Sequence, residues 1–204
     1  MVAEFKHTEL FGGAITANLP SDFADVSTIR QVPDNQEVYL EANGFTSLTI
    51  DLTERVTQFS TDKEALEYHL ADIIAEGDTK QIVSVFENVQ LSKFPPNTPV
   101  LSLIATTRPP PPGPGAARRP HAPTNTDIHL TLIRLVEQST DIVITLNVPH
   151  IPSETEAEDP AAGDGDAVRK QLNERTERAV LMKETWEMVV GSVEIRDWSL
   201  FGTE

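Results

Sequence analysis

Residues 128–148 read IHLTLIRLVEQSTDIVITLNV. Two apolar runs, Ile128 to Glu137 and Asp141 to Val148, are separated only by Gln138-Ser139-Thr140. A connection that short closes an antiparallel hairpin. Outward from it, further strand-like runs lie at Val100 to Thr106, Gln81 to Asn88, Gln36 to Leu40 and Ala14 to Leu19, with turn residues between them. Ser47 to Leu52 alternates: Leu48, Ile50 and Leu52 on one face, Thr49 and Asp51 on the other. Ser192 to Trp198 is predicted to form a last strand.

Two stretches have helical spacing instead. Over Asp62 to Glu76, Leu66, Leu70, Ile73 and Ile74 form one stripe, and Gly77 ends it. Thr61 followed by Glu64 has the spacing of a capping box. Over Ala167 to Val190, Val168, Leu172, Ala179, Val180, Trp186 and Val189 recur at helical spacing before Gly191. Many hairpin-linked strands with two long helices predict the α+β class, an antiparallel sheet with helices packed on it. The chain of 204 residues is long enough for one domain, spanning 1–204, with a real core. Two segments stand apart. Residues 107–126, TRPPPPGPGAARRPHAPTNT, are predicted to be a flexible Pro-rich insertion, because proline lacks a backbone N–H and has a fixed φ. Residues 153–166, SETEAEDPAAGDGD, are predicted to be a mobile acidic loop.

The formal charge is −16, from 16 Lys+Arg against 32 Asp+Glu. Nucleic acid and anionic membranes would be repelled at long range, so a basic protein surface is the natural partner. There is no cysteine, which removes disulfides, thiolate nucleophiles and zinc thiolate sites. The start, MVAEFKHTELFGG, lacks the basic-then-apolar pattern of a secretory signal. No apolar run approaches the ~20 residues of a membrane span, so a soluble intracellular protein is expected.

The acids concentrate between Asp22 and Glu54: Asp22, Asp25, Asp34, Glu37, Glu41, Asp51 and Glu54, against the single base Arg30. Part of this set has backbone reasons. Val32-Pro33-Asp34-Asn35-Gln36 is a good turn, and Asp25 can cap a helical turn at Val26-Ser27. Glu37, Asp51 and Glu54 have no obvious local job and are the better contact candidates. Other chemistries fit poorly. Gly12-Gly13 lacks the rest of a phosphate loop and is expected to shape a tight entry to the next strand. The histidines at 7, 69, 121, 129 and 150 show no metal-pair spacing, and neither a metal nor a cofactor is expected. His69 is expected to be a satisfied, half-buried helix residue. No G-x-S-x-G elbow is present. Asp34/Glu37 or Asp51/Glu54 could serve as a glycosidase-like pair, but aromatic residues make up only 6% of the chain. Pro109 to Pro112, followed by Arg118-Arg119, resembles a polyproline ligand, so an adaptor for an SH3- or WW-type domain is the alternative reading.

LFGGAI (10–15), DVSTIRQVPDNQEVY (25–39), IDLTERV (50–56), LIRLVEQSTDIVITLNVP (132–149) and SLFG (199–202) together resemble the Ran guanine-nucleotide-release-factor family, the small Mog proteins of nuclear transport. The resemblance implies a single antiparallel sheet sandwiched by helices, an α/β/α arrangement related to the PsbP photosystem subunit. It implies binding to the Ran GTPase, GTP-bound or nucleotide-free, non-enzymatic promotion of guanine-nucleotide release, and support of nuclear protein import. Other Ran-binding proteins are further implied partners, and the implied location is the nucleus with a cytoplasmic pool. The Ran-binding positions it implies are Asp25, Arg30, Asp34, Glu37, Asp51 and Glu54, with Arg30 expected to order the acidic loop through an ion pair. The Pro-rich insertion is a departure from the family. One geometric expectation follows from strand periodicity. Asp51 and Glu54 lie an odd number of residues apart and can share a surface only if the strand ends or bulges near Leu52 or Thr53; it is predicted to do so, because Glu54 would otherwise join the Leu48/Ile50/Leu52 core face unpaired.

Overall fold

The computed structural model describes residues 4–113, 121–151 and 165–202, with side chains in the last stretch described from Thr176 onward. The strands are β1 (Phe5–Leu10), β2 (Ile15–Pro20), β3 (Phe23–Asp25), β4 (Gln36–Glu41), β5 (Ser47–Glu54), β6 (Thr79–Phe86), β7 (Val100–Arg108), β8 (Asn125–Leu135), β9 (Thr140–His150) and β10 (Glu194–Ile195). The helices are α1 (Asp62–Ile73) and α2 (Gly165–Ser192). Seven strands form one sheet in the order β3-β4-β5-β9-β8-β7-β6, every neighbouring pair antiparallel.

The β8–β9 hairpin sits in the middle of that sheet. Its last rung is Leu135↔Thr140, so the loop has four residues, Val136 to Ser139, rather than the expected three. Both strands alternate between two covered faces. Ile128, Leu130, Leu132 and Val143 pack with Leu66 and Leu70 of α1. Ile133, Ile142, Ile144 and Leu146 pack with Met182, Trp186 and Val189 of α2. Two buried faces explain why these strands read as near-continuous apolar runs. The expected sheet between helices is therefore present. To it the fold adds a small sheet, β1-β2-β10, whose Leu10, Ile15, Ala17 and Leu19 join the α2-side core.

α1 starts where its sequence says. Thr61 accepts from the Glu64 N–H at 3.2 Å, and Glu64 accepts from the Thr61 N–H at 3.0 Å, completing the box. The helix stops at Ile73, three residues before the expected end, and Gly77 follows with φ 89°. α2 runs past Gly191 to Ser192. Its buried face carries Met182, Trp186, Val189 and Val190, while Val180 is exposed. The side chains of Val168 and Leu172 lie outside the described set. The predicted last strand is cut to the two residues of β10, followed by a 3-10 turn at Trp198–Phe201 that Asp197 caps.

The Pro-rich insertion is shorter than its composition indicates. Thr107 pairs with Thr126, so β7 and β8 extend into both ends of it. Residues 114–120 lie outside the described set, as do 152–164, which hold most of the predicted acidic loop. The final two residues of that loop, Gly165 and Asp166, belong to α2.

Candidate functional site

The candidate acids fall at one corner of the large sheet: the end of β3, the start of β4 and the end of β5. The connection from β3 to β4 is built by local capping. Asp25 accepts from the Ser27 N–H and hydroxyl, both at 2.7 Å, and closes a 3-10 turn over Val26–Thr28. Ile29 and Arg30 then donate to the Val26 carbonyl at 2.9 and 3.0 Å. Gln36 donates to the Pro33 carbonyl at 3.0 Å, forming the expected turn around Asp34. Asn35 exchanges bonds with Leu52: the Leu52 N–H donates to the Asn35 carbonyl at 2.8 Å, and Asn35 Nδ2 donates back at 3.0 Å. The loop that carries Asp34 is thereby fastened to β5.

The β4–β5 register sorts the acids by face. Gln36 lies opposite Asp51, and Glu37 opposite Ile50. Asp51 is on the α1 side, half-buried, and accepts from Gln36 Nε2 at 2.5 Å. Glu37 is on the α2 side with Tyr39 and Ile50. It accepts from the Phe11 N–H at 2.6 Å, beside the turn where Gly12 and Gly13 take φ 66° and 91°. Glu37 thus has a structural bond that its sequence context did not reveal. Burial pushes its carboxyl up; the Phe11 bond opposes this and nearby Asp25 adds to it. Burial likewise raises Asp51, against the Gln36 bond and the field of His69, with Asp72 of α1 adding to the rise. Two carboxylates are therefore held half-desolvated in an acidic neighbourhood. Among the described residues neither has a lysine or arginine within ion-pair distance.

The expected end or bulge of β5 near Leu52 or Thr53 is absent. The strand pairs with β9 in unbroken register from Ser47↔Asn147 to Glu54↔Thr140. Asp51 and Glu54 accordingly point to opposite faces. Glu54 stays out of the core for another reason: β5 outruns the packed layer, so burial falls from Leu48 and Ile50 to half-buried Leu52 and exposed Glu54. The two acids flank the end of one strand rather than one surface of it. Arg30 also departs from expectation. It is exposed, and among the described residues no carboxylate pairs with it; capping by Asp25 orders the loop instead.

Ile29 was not legible as a site residue. It is 78% exposed, held outward by the capped turn, and lies between Asp25 and Asp34 in the chain. Nothing in its residue type separates it from a core isoleucine; only the geometry of the turn does.

A comparable carboxylate elsewhere is fully neutralised. Asp141 of β9 is buried under α1. His69 Nε2 lies 3.1 Å from its Oδ2, the Val56 N–H donates to the same oxygen at 3.1 Å, and Arg134 Nε donates to Oδ1 at 3.1 Å. Arg134 also reaches Asp62 and the Val56 carbonyl. Burial alone would raise Asp141, but the His69, Arg134 and Val56 bonds outweigh it and hold the carboxyl low. His69 is thus buried, rather than half-buried, and satisfied as expected.

The family model for the Ran-interacting Mog1 protein matches residues 8–149, from β1 to the end of β9. The chain belongs to the Mog1 family. It is 31% identical over 191 residues to the nuclear import protein mog1 of Schizosaccharomyces pombe, covering 85% of this chain and 95% of that one. It is 35% identical over 156 residues to the nuclear import protein MOG1 of Saccharomyces cerevisiae, covering 71% of this chain and 66% of that one. Against the Ran guanine nucleotide release factor of Danio rerio it is 32% identical over 142 residues, 69% of this chain and 76% of that one. The crystal structure of the Saccharomyces cerevisiae Ran-binding protein Mog1p superposes with a TM-score of 0.70 at 27% identity, over 98% of this chain and 100% of that one. A mutant of Mog1 superposes equally well. The Mog1 family fold thus accounts for nearly the whole chain.

Proposed function

We propose that this chain binds the Ran GTPase, promotes release of its guanine nucleotide, and thereby supports nuclear protein import. The names of its family relatives support the partner. The geometry supports the place: the corner formed by Asp25, Asp34, Glu37, Asp51 and Glu54, with Ile29 as an apolar anchor. The observation that carries it is the pair of half-buried carboxylates, Glu37 and Asp51, raised by burial and lacking a basic partner among the described residues. Lysines or arginines arriving from Ran, one at each face of the sheet edge, would neutralise them, so charge that opposes folding in the free protein favours the complex.

Release needs no covalent step. A binder that prefers nucleotide-free Ran shifts the equilibrium by its differential affinity for that state, and the action is non-catalytic. Carboxylates at the rim compete for basic residues of the nucleotide pocket or for its magnesium. Work in import calls for a nuclear protein with a cytoplasmic pool. The test is release of labelled GTP from Ran with stoichiometric amounts of this protein. Acceleration that weakens as salt rises is expected; no acceleration at stoichiometry would sink the reading.

A further inference from the structure

The end of the sheet opposite the acidic corner carries a different surface. β7 finishes at Arg108, which forms the last rung with Thr79 of β6. The four residues that follow, Pro109 to Pro112, are all proline. They belong to no helix, strand or turn. Each proline fixes its own φ and excludes the helical region for its predecessor, so the run is confined to a left-handed, extended polyproline conformation. Arg108, Pro110, Pro111 and Pro112 are exposed, while Pro109 is half-buried against the sheet end. Pro110 Cγ lies 4.0 Å from where a Cβ on Gly77 would stand, so the run begins against the α1–β6 connection.

Charge reverses here as well. In a chain of net charge −16, residues 107–123 contain Arg108, Arg118 and Arg119 and no acid. A proline ladder with two spaced contact prolines, Pro109 and Pro112, and a guanidinium at its start suits one kind of receptor. That receptor has an aromatic-lined groove for the prolines and a carboxylate pocket for the arginine, the SH3 type.

We infer that Arg108 to Gly113 is a docking ligand for an SH3-type domain, separate from the acidic corner. The register allows both partners at once. Thr126, opposite Thr107, and Leu135, near the Glu54 end, are nine residues apart on β8. At about 3.3 Å per residue that separation is about 30 Å. The preformed run loses little conformational freedom on docking, so the loop needs no folding step to bind.

The experiment titrates the full chain into a ¹⁵N-labelled SH3 domain that accepts arginine-led proline ligands, with a WW domain run in parallel. Expected are shifts of the SH3 groove resonances, including its tryptophan indole N–H, and a complex that still forms when Ran is present. Arg108→Glu, and Pro109→Ala with Pro112→Ala, should each weaken binding by about tenfold or more, or 1.4 kcal/mol. Nucleotide release from Ran, measured on the same variants, should be unchanged and reports that they are folded. The inference fails if the SH3 domain shows no shifts, if Arg108→Glu binds as tightly as the parent, if Ran displaces the SH3 domain, or if only the WW domain responds. Because release is read separately, a parent chain that releases nucleotide but leaves the SH3 domain unshifted overturns this inference and not the Ran reading.

Discussion

Asp51 and Asp141 sit on neighbouring strands and on the same side of the sheet, yet they serve different ends. In the β5–β9 ladder Asp51 lies opposite Val143, and Asp141 lies opposite Thr53. Asp141 is buried and receives His69, Arg134 and the Val56 N–H, so its charge is stabilised. Asp51 keeps only Gln36, and burial leaves its charge disfavoured. Glu37 resembles Asp51, with a single backbone donor against burial and Asp25. The difference teaches where to look for function in an acidic protein. A carboxylate whose environment completes it belongs to the fold; one left incomplete awaits something from outside.

Breaking the completed side should have the largest effect. Arg134→Ala removes the buried cation and strands Asp141, and is expected to cost about 3–5 kcal/mol in denaturant unfolding. A loss below about 1 kcal/mol would mean that Asp141 is not held by that ion pair. The pH dependence follows from the same contact. Because the folded pKa of Asp141 is lowered, its contribution is present above the unfolded value of about 3.9. It is lost as pH falls through the folded value, so the difference between the parent and an Asp141→Asn variant should narrow in acid.

The incomplete side should respond in binding rather than in folding. Asp51→Lys with Glu54→Lys reverses the charge at both faces of the β5 end and is expected to slow Ran nucleotide release by about tenfold or more, equivalent to about 1.4 kcal/mol. Ile29→Ala should weaken Ran binding by up to about tenfold while changing stability by less than about 0.5 kcal/mol, as an exposed anchor would. Equal losses of binding and stability would make Ile29 a structural residue instead.

The smallest effect carries a sign. The folded pKa of Glu37 is raised, so its contribution to stability is full below the unfolded value of about 4.3 and declines as pH rises through the folded value. Glu37→Gln keeps an acceptor for the Phe11 N–H and removes the charge. It should therefore be slightly more stable than the parent at pH 7, with the gain vanishing below about pH 4. Thermal unfolding at the two pH values reads this directly, and a destabilised variant at pH 7 would contradict it.

Much of this fold could be read from the chain because its signals are local. The runs around Gln138-Ser139-Thr140, the Thr61–Glu64 box and the alternation of Leu48 and Ile50 each constrain a few neighbouring residues, and each element formed. The strands β1 and β3 were not legible, since Phe5 to Leu10 and Phe23 to Asp25 are short and mostly polar on one side. Their pairing is decided by β2, across the turn at Phe11–Gly13, and by β4, across the capped connection 26–35. The end of β5 misled for a related reason. An apolar–polar pattern reports which face a side chain takes, but not where the covering layer stops, and Glu54 lies just beyond that edge. The candidate acids were legible as residues and not as roles. Glu37's bond to Phe11 spans 26 positions, and Arg30's lack of a described carboxylate partner depends on a loop geometry set by Asp25.

The most direct test of the central claim is the rate of labelled GTP release from Ran with the parent protein and with the Asp51→Lys, Glu54→Lys variant, both first shown to unfold cooperatively. Fast, salt-sensitive release by the parent and release about tenfold slower or more with the variant is the predicted result. A folded variant that releases nucleotide as fast as the parent would contradict the placement of the Ran-binding surface at this corner.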